Sequence, residues 1–158
     1  MKHTIFSRFT SHSLQLALII ILLVSALLLT GCGASTTNND QIEMASMSSM
    51  PAEVQNAPSI VREAYQFAVA NPEALKNVPC YCGCNAVGHT SNYSCYVKEV
   101  KETGEIIFDQ HALGCSICVD IAQDVIKMTK DGKTPSEIRT IIDSTYAQFG
   151  PSNMPPVQ

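Results

Sequence analysis

The chain has little positive charge and no run of basic residues. Its 158 residues include 10 lysines and arginines against 14 aspartates and glutamates, which gives a formal net charge of -4. Proteins that bind DNA or RNA present lysine and arginine to the phosphates, so this composition disfavours nucleic acid as a partner. It also disfavours attachment to anionic lipids through charge alone.

Several motifs of common enzymes and haem proteins are also missing. The sequence has no glycine-rich phosphate loop and no serine in the elbow motif of lipases. Covalent haem attachment needs a histidine directly after the second cysteine of a CxxC pair, but Val119 follows Cys118. We therefore predict that the protein is not an enzyme, with thiol redox chemistry as the alternative that its cysteines keep open.

Cysteine, by contrast, is abundant, with seven in the chain. That is too many for inert packing in a chain of this size, so they indicate a disulfide framework, a metal or a covalent modification. The sulfur of a thiolate is a soft donor, which selects Cu(I), Zn(II) and iron–sulfur clusters. The position of each cysteine decides between these uses.

Residues 1–31 are predicted to be a lipoprotein signal peptide. Lys2 and Arg8 precede a nearly continuous apolar stretch over residues 14–29, which is short for a stable membrane span. The stretch ends in the sequence LTGC, which resembles the bacterial lipobox. The resemblance implies cleavage before Cys32, a diacylglycerol on its sulfur, and a domain anchored to the outer face of the cell membrane. The alternatives are an uncleaved membrane helix or an ordinary cleaved signal.

Residues 32–55 are predicted to form a flexible linker, because they are rich in small polar side chains and have few large apolar ones. Within them, Met44, Met47 and Met50 recur at every third position. Thioether sulfurs are soft ligands for Cu(I), so this repeat is a candidate secondary metal site. The alternative is that they are adaptable apolar residues without a ligand role.

Residues 56–150 are predicted to fold as a small, mainly α domain of three or four helices. Apolar residues at helical spacing predict helices over residues 57–70 and 114–130, and a capping box with proline predicts a last helix from Thr134. The segment from Cys80 to residue 94 is predicted to be an irregular cysteine-rich loop. Residues 95–108 favour a minor hairpin, with a short helical turn after Asn92 as the alternative.

The tail over residues 151–158 is rich in proline and is predicted to be disordered. A helical domain this small is only marginally stable by itself, so a bound metal or crosslinks would supply what the core lacks. The cysteines occupy positions from which they would do so.

The hexapeptide PCYCGC at residues 79–84 is the strongest signal in the sequence. Alternate side chains of an extended segment share a face, so the thiols of Cys80, Cys82 and Cys84 can converge on one point. Neighbours this close do not readily form relaxed disulfides with one another. A shared metal ion is therefore the simpler interpretation.

A second group of ligands is predicted at the start of the 114–130 helix. Cys115 and Cys118 lie on one face of its first turn, where the helix dipole favours thiolate. We expect the loop cysteines to lie against this turn, with His89 and His111 as further candidates. For either histidine the alternative is that it is a solvated loop residue without a ligand role. Cys95 is isolated in the sequence, which does not decide whether its thiol reaches the site. The candidate ligands are therefore Cys80, Cys82, Cys84, Cys95, Cys115, Cys118, His89 and His111.

The hexapeptide, the Gly88-His89 pair and the sequence HALGCSIC at residues 111–118 together resemble the bacterial PCYCGC-motif lipoproteins. The resemblance covers residues 56–150. It implies an exported, lipid-anchored bacterial protein and groups these cysteines and histidines together. It implies little about the chemistry they perform.

We expect the protein to bind Cu(I) through several thiolates and to buffer it, deliver it or confer resistance, with a metal donor or acceptor protein as partner. Zinc is the alternative ion, because four of these ligands satisfy a tetrahedral structural site. A thiol–disulfide role is a second hypothesis, since the CSIC sequence at residues 115–118 has redox spacing. A third hypothesis is an interaction module that is crosslinked by three disulfides, for which the six cysteines allow fifteen pairings.

Overall fold

Helices form most of the folded chain in the computed structural model, which describes residues 42–156. The α-helices are α1 (Ala52–Gln55), α2 (Ser59–Ala70), α3 (Pro72–Lys76), α4 (His111–Gly114), α5 (Ser116–Lys130) and α6 (Pro135–Tyr146). Short 3-10 helices lie at Met47–Ser49, Cys84–Val87, Tyr93–Cys95 and Ala147–Phe149, and the strands are β1 (Val97–Val100) and β2 (Ile106–Phe108). The prediction of a mainly α domain with a minor hairpin is confirmed.

The predicted signal peptide and the lipidation site at Cys32 lie outside the described residues. Within residues 42–156, no helix combines the length and the apolar character that crossing a membrane requires.

Helix α5 lies at the centre of the domain and packs against both α2 and α6. It is buried along most of its length, with Ile121, Ala122 and Val125 fully enclosed at helical spacing. Helix α6 begins with the predicted capping box, in which Thr134 and Glu137 exchange hydrogen bonds at 2.8 and 3.3 Å. These bonds satisfy backbone N–H groups that have no partner within the helix.

The two strands pair antiparallel, with Val97 opposite Phe108 and Val100 opposite Ile106. Both predicted alternatives for this region are present, because a 3-10 turn at Tyr93–Cys95 runs directly into β1. A backbone hydrogen bond of 2.9 Å from Asp109 N–H to Tyr96 O continues the pairing beyond β2. The hairpin thereby sets the start of α4, which carries His111, beside the turn that carries Cys95.

The folded domain begins earlier than the predicted boundary at residue 56. The backbone of Ala45 pairs with α2, because its N–H donates to Gln66 O at 3.1 Å and its carbonyl accepts from Gln66 Nε2 at 2.7 Å. Asn71 Nδ2 donates to Glu43 O at 2.7 Å. Polar side chains on α2 thus order a segment whose composition predicted a flexible linker.

The methionine repeat lies in this ordered segment, along α2. Met50 is buried in the hydrophobic core, together with Val54 of α1. Met47 packs against the core while partly exposed, and Met44 is exposed. Apolar packing therefore accounts for the position of Met50.

Candidate metal centre

A turn at Gly83 shapes the cysteine loop. Its φ of 80° lies in the left-handed region, which glycine adopts without the steric cost that other residues meet. The turn leads into the 3-10 helix Cys84–Val87, so the chain folds back after Cys82. The ligand atoms of Cys80, Cys82 and Cys84 lie within 4.8 Å of one another. The three thiols therefore converge as predicted. The turn at Gly83 brings them together, in addition to their alternate positions in the sequence.

The start of α5 supplies the sulfur at the centre of the cluster. Cys115 caps the helix and Cys118 lies in its first turn. The Sγ atom of Cys118 is 3.0 Å from Cys115, 3.3 Å from Cys80, 3.3 Å from Cys95 and 3.6 Å from Cys82. The loop cysteines therefore lie against the first turn of this helix, as the sequence predicts.

Both histidines contact the cluster, with His89 buried and His111 half-buried. The Nε2 atom of His111 is 3.4 Å from the sulfur of Cys82, and the Nδ1 atom of His89 is 3.6 Å from that of Cys95. The two imidazoles meet edge to face with their centroids 4.9 Å apart. On its far side, His89 Nε2 lies 3.4 Å from Asp109 Oδ2. A carboxylate in this place orients a histidine that binds a metal through its other nitrogen.

All eight predicted ligands therefore belong to one cluster. Its ligand atoms fall into overlapping sets of three or four within 4.8 Å of one another, and two of the sets contain His111. One set, with Cys82, Cys115, Cys118 and His111, has the three-sulfur and one-nitrogen composition of a tetrahedral site. This cluster can hold a metal ion.

The backbone around Cys118 is fixed by two buried side chains. Its carbonyl accepts a hydrogen bond of 2.7 Å from the Tyr96 hydroxyl and one of 3.2 Å from Asn92 Nδ2. Both side chains are fully buried, and Tyr96 stacks edge to face on Tyr65. The central sulfur is therefore carried on a turn whose backbone is fixed by buried hydrogen bonds.

The last residues of the described chain form a second support, which we call the C-terminal strap (residues 150–155). The Cys80 N–H donates to Asn153 Oδ1 at 2.7 Å, and the Asn153 N–H donates to the Cys80 carbonyl at 3.3 Å. Asn153 Nδ2 also donates to the His89 carbonyl at 2.9 Å. One asparagine thus connects the two segments that carry the candidate ligands Cys80 and His89.

Helix α6 holds the strap in place. Arg139 donates to the carbonyl of Pro155 at 2.6 Å and to Asp143 at 2.9 Å, and Asp143 accepts from the Tyr81 hydroxyl at 2.6 Å. Burial, followed by the bond to Asp143, raises the pKa of Tyr81 to about 12. The predicted disordered tail is therefore ordered through residue 155.

Sequence reasoning missed both Asn153 and Asp109 as parts of the site. Asn153 lies in a proline-rich tail with no motif, and its partners are 64 or more residues away in the chain. Asp109 lies two residues before His111, and its carboxylate also accepts from the His111 N–H at 2.8 Å. An aspartate so close to a candidate ligand was the one local signal available.

The thiols of the cluster influence one another's ionisation. Hydrogen bonds from Cys118 and Cys95 hold the pKa of the Cys80 thiol well below its usual range. Burial, together with the charge on Cys80, raises the pKa of Cys84 to about 11. Burial and the same neighbour raise the pKa of Cys82 as well. A thiolate at Cys80 thus opposes the ionisation of Cys82 and Cys84, which keep their protons. A bound cation would offset this repulsion and take the place of those protons.

None of the six cysteines within residues 42–156 is paired in a disulfide. Fold and site together define a small helical domain that presents a cluster of free thiols and imidazoles able to hold a metal ion. The family described as "Protein of unknown function with PCYCGC motif" matches residues 21–156, and the chain belongs to this family. No curated protein and no solved structure matches the chain.

Proposed function

We propose that this protein binds Cu(I) in a multi-thiolate centre and buffers it or passes it on. The observation that carries the proposal is the position of Cys118, whose sulfur lies within 3.6 Å of four other cysteine sulfurs. Two sulfurs bound to one tetrahedral ion at about 2.3 Å are about 3.8 Å apart. The spacing in the cluster is close to that value, so small shifts would bring these sulfurs onto a shared ion.

Copper is favoured over zinc by the number and softness of the donors. A structural zinc site uses four ligands, whereas this cluster brings together six sulfurs and two imidazoles. Cu(I) prefers thiolate, and a central thiolate with several sulfur neighbours is suited to bridging more than one ion. Zinc bound at a single four-ligand set is the alternative that elemental analysis would reveal.

The proposal also places the centre on the outer face of the cell membrane, anchored through a lipid on Cys32. It is supported by the apolar segment over residues 14–29 and by the lipobox-like sequence that ends at Cys32. In that compartment a protein that exchanges copper needs a metal donor or acceptor protein as its partner. Mass spectrometry of the N-terminal peptide tests the anchor, and an unmodified or uncleaved Cys32 would contradict it.

The decisive experiment uses the full chain, extracted from its native membrane with detergent and handled without oxygen. Elemental analysis and a free-thiol count give the native metal content. Titration with Cu(I) against a competing chelator gives the affinity. We expect copper to be bound and Cys118→Ser and Cys82→Ser to weaken binding far more than the control Met44→Leu. Three intact cystines without a bound ion, or equal affinity in all variants, would overturn the proposal.

A thiol–disulfide role is the second candidate, favoured by the 3.0 Å separation between the sulfurs of Cys115 and Cys118 at a helix start. Under this hypothesis Cys115→Ser abolishes disulfide exchange with a model dithiol while the fold remains intact. Wild-type protein that shows no exchange activity would remove this candidate.

A further inference from the structure

The donors of the cluster differ sharply in their exposure to solvent. The inner donors, each at most 7% exposed, are Cys80, Cys84, Cys95 and His89. The outer donors, each half-buried, are Cys82, Cys115 and His111. Cys118, which is 0% exposed, lies between the two groups and contacts sulfurs of both. The cluster therefore has an enclosed side and an accessible side.

The outer donors and Cys118 form a complete set of four. Their ligand atoms all lie within 4.8 Å of one another. Cys82 is 3.4 Å from the Nε2 atom of His111 and 3.6 Å from the sulfur of Cys118, which is 3.0 Å from Cys115. This set has the number and type of ligands that one ion requires.

The inner donors fall into three overlapping groups on the other side of Cys118. Cys84, His89 and Cys95 belong to one group of mutually close ligand atoms, which also includes His111 of the outer donors. Cys80 belongs with Cys82 and Cys84 in another group and with Cys95 and Cys118 in a third, and all three members of the third group are buried. The hydrogen bonds from Asn153 to the backbone of Cys80 and His89 hold this inner side together.

We propose that the centre holds two Cu(I) ions of unequal lability, an inner ion that is retained and an outer ion that is exchanged. The inference rests on the proposed Cu(I) function. The inner ion is held by Cys80, Cys95 and Cys118, and its removal requires the domain to open because all three are buried. The outer ion needs only the displacement of a half-buried side chain such as Cys115.

A surface cavity of about 300 Å³ gives an incoming ligand access to Cys115. It is lined largely by apolar groups, among them Ile60, Leu113, Gly114 and Val119. Exchange there is a ligand substitution at an unchanged oxidation state. As the sulfur of an incoming thiol bonds to the ion, the bond to Cys115 breaks, and the proton released by the incoming thiol is balanced by the one that Cys115 takes up.

The test follows the removal of copper from the fully loaded full-length protein by excess bathocuproine disulfonate, in a stopped-flow spectrometer. We expect two ions per chain, released in two phases of equal amplitude. The fast phase should be at least about tenfold faster, a factor that corresponds to a barrier difference of roughly 1.4 kcal/mol. A single phase that accounts for all of the bound copper would overturn the inference.

A matched pair of substitutions assigns the phases. Cys115→Ser is expected to remove the fast phase and one ion, whereas Cys95→Ser is expected to remove the slow phase. Circular dichroism identifies a variant that fails to fold, and the wild-type kinetics then decide the question alone. Loss of the same phase in both variants would contradict two distinct sites. A protein that binds no Cu(I) at all fails the proposed function instead, so the two failures are distinguishable.

Discussion

The two ends of the described chain are both ordered, but they are ordered by different partners. The N-terminal segment, residues 42–55, packs on α2 and places Met50 and Val54 in the hydrophobic core. The C-terminal strap lies on the cysteine loop and hydrogen-bonds to the backbone of Cys80 and His89. The difference separates two tasks, because one end stabilises the domain and the other supports the ligands. Substitutions in the two segments should therefore have different consequences for stability and for metal affinity.

The largest loss of stability is expected at Met50. Met50→Ala removes a buried side chain from the core, and such changes cost about 2–5 kcal/mol of unfolding free energy. Urea denaturation of the metal-free protein measures this loss. Cu(I) affinity of the folded variant should stay near the wild-type value, and a large fall in affinity would show that the N-terminal segment takes part in the site.

The next largest effect is expected at Gly150, where the strap approaches the loop. A Cβ atom at this position would lie 2.8 Å from the carbonyl oxygen of Tyr81, so Gly150→Ala must push the two segments apart. We expect a loss of about 1–3 kcal/mol, typical of overpacking, together with weaker Cu(I) binding. Denaturation and chelator competition measure the two effects. Unchanged affinity would mean that the strap has no influence on the ligands.

Asn153 should affect the site more than the fold. Asn153→Ala removes the side-chain bonds to Cys80 and His89, and supporting residues of this kind change metal affinity by about tenfold or more. Asn153→Asp is the matched variant, since it keeps an acceptor for the Cys80 N–H and loses the donor to His89. Chelator competition should rank wild type above Asp and Asp above Ala, and equal affinities would contradict the positioning role.

The smallest effect is expected at Gln66, which anchors the N-terminal segment. Gln66→Ala removes the 2.7 Å hydrogen bond to the Ala45 carbonyl, worth about 1 kcal/mol. The measurement is the shift in the urea midpoint, with Cu(I) affinity unchanged. If the variant loses as much stability as Met50→Ala, the hydrogen bonds and not the buried side chains hold this segment.

The sequence predicted the parts of the molecule that depend on local patterns. Apolar spacing located α2 and α5, and the capping box at Thr134 located the start of α6. The eight candidate ligands were also predictable, because cysteine and histidine can bind metal ions whatever the local secondary structure. The sequence also predicted that the loop cysteines lie against the first turn of α5. That prediction came from the spacing of Cys115 and Cys118 and from the helix dipole, which favours thiolate there.

The supports of the site were not predictable in the same way. Asn153 acts through three hydrogen bonds to residues far away in the chain, and asparagine in a proline-rich tail is ordinarily a sign of a loop. Residues 42–55 were misjudged because their composition is polar, although Met50 and Val54 are buried in the core and Gln66 and Asn71 hydrogen-bond to the backbone of this segment. Both errors arise from tertiary contacts that override local composition.

The crowding of thiols around Cys118 has a consequence for how the protein matures. Every sulfur that can share an ion can also be oxidised beside a neighbouring sulfur, and cystines persist in the exported compartment that we propose for this protein. Early binding of a metal ion would then protect the thiols of the newly folded domain from oxidation to disulfides. Under the proposed function, the order in which the chain meets copper and oxidant would decide whether it matures with a bound ion or is trapped in a disulfide-linked form.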